Sequence, residues 1–129
     1  MAACVLDASA VLAWLFGEGG AETVEKVLGV SALSTVNLAE VLYRADEEGM
    51  KTGSLEEDLV SLGLSVEPFT SEDAHLVEEV RRVARRSGAR LALADCCCLA
   101  TGIRLNLPVV GGDQAWESLR LGIEVRPFR

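Results

Sequence analysis

Hydrophobic positions follow two rhythms along the chain, and the alternation between them predicts the architecture. Residues 3–6 form a short unbroken apolar run ending at Asp7, as a buried strand does. From Ser9 the apolar residues recur with helical spacing until Gly17, Gly19 and Gly20 stop them. A second helix is predicted over 21–28, with Glu22, Glu25 and Lys26 outward and Val24, Val27 and Leu28 inward. A brief strand over 30–33 leads to a helix over 35–48, closed by Gly49.

Ser54 and Glu57 stand three apart, a capping-box signature for a helix running to residue 62. Residues 64–66 read as a strand closed by Pro68. Thr70 with Asp73 then opens a helix carrying Val77, Val80, Val83 and Ala84 and terminated by Gly88. A helix over 93–105, a strand over 108–110, a Gly111-Gly112 turn, a helix over 113–119 and a strand over 123–125 complete the series. Short strands separated by helices predict an α/β fold, a parallel sheet with helices on both faces. No repeat, linker or low-complexity segment interrupts it, so residues 1–129 are expected to form one domain.

Composition sharpens this. Half of the residues are hydrophobic and a quarter are charged, enough for a buried core, which excludes a disordered chain. The longest apolar run, residues 8–16, is too short to span a membrane. It lacks the positive segment that precedes the core of a signal peptide, so the protein is expected in the cytoplasm and off the membrane. Cys4 stands alone and Cys96, Cys97 and Cys98 are consecutive, a spacing unlike a metal clamp, so they read as small buried hydrophobes.

The net charge of −8 argues against a simple nucleic-acid coat protein, but it hides an asymmetry. Residues 1–80 sum to −13, and residues 81–129, with nine arginines, sum to +5. Arg81, Arg82, Arg85, Arg86 and Arg90 form a stripe along one helix, suited to phosphate contacts, to ion pairs with acidic helices or to a dimer contact.

Four acids stand out by their apolar or glycine-rich settings: Asp7, Glu40, Asp95 and Asp113. Asp7 and Asp113 each sit where a strand meets a helix, so each is also a candidate N-cap. A carboxylate among Leu, Ala, Val and Cys, as at Glu40 and Asp95, needs a metal, a buried arginine or another partner. Ligands of an open parallel sheet bind beyond the carboxyl ends of its strands, and all four acids can reach that edge. Four carboxylates there repel one another, a hard divalent cation relieves the repulsion, and oxygen-only donors favour Mg²⁺ or Mn²⁺. Such a site suits phosphodiester hydrolysis without a general-base histidine. Ser9 is either an auxiliary group that holds a water or an ordinary helix-start residue. The lone His75 reads as a surface residue.

The ordered segments Val5-Leu6-Asp7-Ala8-Ser9-Ala10, Asn37-Leu38-Ala39-Glu40-Val41, Leu93-Ala94-Asp95 with Cys98-Leu99-Ala100, and Val109-Val110-Gly111-Gly112-Asp113 resemble the PIN-domain family. Within it they are most similar to the VapC-type toxin ribonucleases of toxin–antitoxin pairs. The resemblance spans nearly the whole chain. It implies a three-layer PIN-like fold and a Mg²⁺- or Mn²⁺-dependent endoribonuclease with one or two ions. It also implies a structured RNA substrate, a homodimer, and a cognate antitoxin that blocks the site. By position Asp7, Glu40, Asp95 and Asp113 match the family's acidic quartet, as both catalytic and metal residues, and Ser9 matches its small hydroxyl residue. Gly111 stands where the family usually has Thr or Ser, which puts a supporting contact to Asp113 in question.

Alternative architectures fit less well. A haloacid-dehalogenase-type phosphatase needs a second Asp where Ser9 stands, and a receiver domain needs a late lysine, whereas the only lysines are Lys26 and Lys51. A PIN-like domain acting in RNA processing, or binding partners with weak or no nuclease activity, is the alternative from another functional class.

Overall fold

Five strands lie side by side, all parallel, in the order β3-β2-β1-β4-β5 in the computed structural model, which describes residues 1–112 and 114–129. The strands are β1 (Cys4–Leu6), β2 (Ser31–Ser34), β3 (Ser65–Glu67), β4 (Val109–Val110) and β5 (Val125–Arg126). The helices are α1 (Ala8–Phe16), α2 (Ala21–Leu28), α3 (Thr35–Glu47), α4 (Leu55–Ser61), α5 (Ser71–Arg86) and α6 (Leu93–Leu105). The α/β class expected from the alternating rhythms is the observed one.

Side chains alternate across a strand, and the sheet uses that alternation to seed two cores. Leu6, Leu33 and Val110 point to one face and pack with Val11, Val24, Leu38, Val41 and Leu59. Val5, Ala32 and Val109 point to the other and pack with Val80, Ala84, Cys98 and Leu99. Both faces are thus covered, as parallel sheets require. All four cysteines are buried free thiols. Burial raises the pKa of Cys96, Cys97 and above all Cys98, so these thiols are packing residues.

Asp7 caps α1, accepting a hydrogen bond from the Ala10 amide, and Thr70 and Asp73 cap α5 reciprocally. The expected capping box at Ser54 is absent: its side chain makes no cap bond, and its hydroxyl donates to Asp58 at 3.3 Å instead. The helix expected over 113–119 is a 3-10 turn over Gln114–Ser118, followed by an i→i−3 bond from the Leu119 amide to the Trp116 carbonyl. The last strand lies later than expected, because the two residues of β4 set its register, Val109 opposite Val125 and Val110 opposite Arg126.

Asp73 is fully buried, and its carboxylate binds Arg104 of α6 at 2.5 Å. Arg104 also reaches Glu67 on β3 at 2.9 Å. The buried acid that arginine neutralises is therefore Asp73, which stands apart from the four acids singled out above. Among the described residues no helix is long and apolar enough to cross a membrane.

Candidate active site at the sheet's carboxyl edge

The chain leaves β1 toward β2 on one side, while β4 lies on its other side. This reversal is the switch point of the sheet, where an open α/β fold leaves a crevice beyond the strand ends. Asp7 follows β1 and Gly111 and Gly112 follow β4, so the last turn of each strand faces the same crevice. A cleft of about 430 Å³ opens there, and Asp7, Ser9, Asn37, Glu40 and Asp95 all line it.

Asp7 is the most constrained of these groups. Its side chain is nearly inaccessible and accepts from three sources: Ser9 Oγ at 2.8 and 2.9 Å, the Ala10 amide at 2.8 Å and the Gly112 amide at 2.8 Å. Burial nevertheless raises its pKa; the three donors oppose the rise and the charge of Glu40 adds to it. Ser9 thus holds the carboxylate, and Asp7 is both an N-cap and a cleft residue.

Glu40 comes from α3 and is only half-buried, because Leu38 and Val41 turn into the core while the carboxylate faces the cleft. Its Oε1 accepts from Asn37 Nδ2 at 3.2 Å, and the same amide group donates to the Ala94 carbonyl at 3.3 Å, tying α3 to the start of α6. Asn37 itself is buried, and among the described residues its Oδ1 lacks a hydrogen-bond partner. Asp95, also half-buried, sits in the first turn of α6 and accepts from the Ala92 amide at 3.1 Å. The apolar sequence settings of Glu40 and Asp95 therefore do not translate into full burial. Asp113 lies outside the described residues.

The donors of the cleft fit a hard divalent cation in kind. They are carboxylate oxygens, a hydroxyl and an amide with an orphaned oxygen; among the described residues no His or Cys lines the cleft, and Arg129 lines it as well. They do not form a closed cage: among the described residues no three His, Cys, Asp or Glu side chains are gathered as a ready metal site.

Two groups escaped sequence reasoning as members of the site. Asn37 carried a signal, since it lies three residues before Glu40 and therefore on the same helix face. The Gly112 amide was signalled by the Gly-Gly pair after a strand, where backbone approaches another group closely.

The family model described as the PIN domain matches residues 4–120, from the start of β1 past the 3-10 turn. The chain belongs to the PIN domain family. No curated protein sequence matches it. Solved structures share the PIN fold at low identity. DNA-bound VapBC from Salmonella typhimurium aligns at TM-score 0.76 and 18% identity, covering 100% of both chains. A toxin–antitoxin complex from Klebsiella pneumoniae aligns at 0.72 and 16%, covering 93% of this chain and 94% of that one. VapBC-5 from Mycobacterium tuberculosis aligns at 0.60 and 22%, covering 100% and 99%.

Proposed function

We propose that this PIN domain is the toxin ribonuclease of a toxin–antitoxin pair, a Mg²⁺- or Mn²⁺-dependent endoribonuclease acting as a homodimer in the cytoplasm. The observation that carries the reading is the convergence of Asp7, Glu40 and Asp95, from three separate elements, on one cleft at the switch point. Asp113, next to Gly112, is assigned as the fourth acid by its place in the motif. The solved relatives include complexes of toxin with antitoxin, which supports a cognate antitoxin partner here.

In this reading Asp7, Glu40, Asp95 and Asp113 would hold the cation. When bound, the cation supplies an activated water for attack on phosphorus and positive charge for the departing oxygen. Ser9 and the Gly112 amide fix the Asp7 carboxylate in one orientation, and Asn37 does the same for Glu40. The test is RNA end sequencing after expression of wild type and Asp7→Asn. Discrete new ends with the wild type alone support the reading, and identical ends with both proteins sink it.

A second reading is a PIN-like domain that binds RNA or a partner with weak or no cleavage. The open arrangement of the described acids favours it. Purified protein that binds RNA but leaves it intact at saturating Mn²⁺ would select this reading.

A further inference from the structure

Five arginines follow one another on α5 and its exit: Arg81, Arg82, Arg85, Arg86 and Arg90. All are exposed, and among the described residues none makes an ion pair. Among the described residues the arginines that form ion pairs are Arg104 and Arg126, so ion pairs with acidic helices do not account for these five. Attraction to the carboxyl end of α5 accounts for Arg85 and Arg86, in its last turn, but not for Arg81 or Arg90.

The five divide between two hollows. One, of about 280 Å³, is lined by Arg81, Arg85 and Arg90 together with Ala84, Ala89 and Leu91, and among the described residues no carboxylate lines it. The other is lined by Arg82, Arg86 and Arg120 but also by Glu79. Three exposed arginines with no acid among the described lining residues, in a protein of net charge −8, make the first hollow a candidate anion site.

Its position gives the anion an identity. Cys96 also lines this hollow, and its neighbour Asp95 lines the acidic cleft. Consecutive helical residues project about 100° apart on a cylinder about 10–12 Å across. The two sites therefore flank the same first turn of α6, a separation that a strand of a few nucleotides bridges.

We propose that the Arg81–Arg85–Arg90 hollow binds backbone phosphates of the RNA strand to one side of the acidic cleft. The proposal rests on the ribonuclease reading for the identity of the strand. It resolves the charge paradox of the chain: an acidic protein holds a polyanion through one local receptor.

The test measures binding of a short labelled single-stranded RNA to Asp7→Asn protein by fluorescence anisotropy over a KCl series. Arg81→Gln/Arg85→Gln/Arg90→Gln is compared with the charge-matched Arg82→Gln/Arg86→Gln/Arg120→Gln, with folding checked by circular dichroism. The first triple is expected to lose roughly tenfold or more in affinity, and its log–log salt slope to fall by about 0.7 for each phosphate it no longer neutralises. The second triple stays near the parent. Equal weakening in both triples, or none in the first, overturns the proposal. So does polyglutamate that displaces the RNA equally well, which would mark the hollow as a site for an acidic protein segment. Cleavage assays in the wild-type Asp7 background separate the two ideas. Absent cleavage with arginine-dependent binding overturns the ribonuclease reading alone. Normal cleavage and binding by the first triple overturn the phosphate site alone.

Discussion

A Cβ placed on Gly111 would fall on Cγ of Asp7, far inside van der Waals contact. Gly111 also has φ of +153°, a conformation L side chains rarely adopt. The glycine that departs from the usual family residue is therefore what lets the Asp7 carboxylate sit against the end of β4 and take the Gly112 amide. Its described contact is with Asp7, whatever its effect on Asp113.

Gly111→Ala and Gly111→Ser are expected to lower stability by about 2–4 kcal/mol, combining backbone strain with overpacking. Because the clash falls on Asp7 itself, RNA cleavage at a temperature where the protein stays folded should drop as well. Urea unfolding and a cleavage assay check both. A stable Gly111→Ser protein with increased activity would mean that a hydroxyl is accommodated and useful there, against the steric argument.

With no cation bound, the cleft should respond to pH through Asp7. Burial raises the Asp7 pKa in the folded chain, so between the ordinary aspartate value of about 3.9 and the raised value the folded state holds more proton than the unfolded one. Stability from this group is full below that window and is lost as pH rises through it. In chelator, the melting temperature of Asp7→Asn relative to wild type should therefore improve as pH rises from 4 toward neutrality. The absolute difference also includes any loss of the Gly112 hydrogen bond, so the trend with pH is the diagnostic quantity. A difference that is flat with pH, followed by differential scanning fluorimetry, contradicts the raised pKa.

Much of this arrangement was legible in the chain. Apolar runs of three or four residues and the helical recurrence between them located β1, α2 and α6 almost to the residue, the strand because burial on both faces requires an apolar run and the helices because their apolar positions recur at helical spacing. Asp7, Glu40 and Asp95 were legible as acids out of place, and the fold brings them to one cleft. Their degree of burial was not, since neighbours in sequence point to different faces of a helix. Nor was the Arg104–Asp73 pair, whose partners lie 31 residues apart and meet only through the packing of α5 on α6. The Ser54 signature failed for a local reason: its hydroxyl found Asp58 one position beyond the expected partner.

Asn37 links the fold to the cleft, and its role as a positioning residue is testable through metal dependence. Asn37→Leu removes two long hydrogen bonds but also eliminates an orphaned buried oxygen, so stability should change by only about 1 kcal/mol. Without its amide Glu40 is free to rotate, and the Mn²⁺ concentration giving half-maximal cleavage should rise about 10–100-fold. The rate at saturating Mn²⁺ should be retained. The thermal stabilisation expected of wild type in Mn²⁺ should weaken in parallel in the variant. An unchanged Mn²⁺ midpoint would show that Glu40 needs no such support.

The Arg104 junction should behave in the opposite way, carrying stability without activity. Asp73 is fully buried and Arg104 is 16% exposed, so the pair sits largely out of water, and Glu67 at 25% forms its wetter arm. Removing the cation by Arg104→Met strands the Asp73 charge and should cost about 3–5 kcal/mol in urea unfolding. Glu67→Gln should cost about 1 kcal/mol or less. Arg104→Met combined with Asp73→Asn should recover most of the loss, because the amide keeps an acceptor for the Thr70 amide while the buried charge is gone. None of the three should alter cleavage per folded molecule, since Arg104, Asp73 and Glu67 all lie outside the lining of the acidic cleft. A double variant no more stable than Arg104→Met would show that the packing of the arginine stem, rather than neutralisation of Asp73, holds α5 against α6.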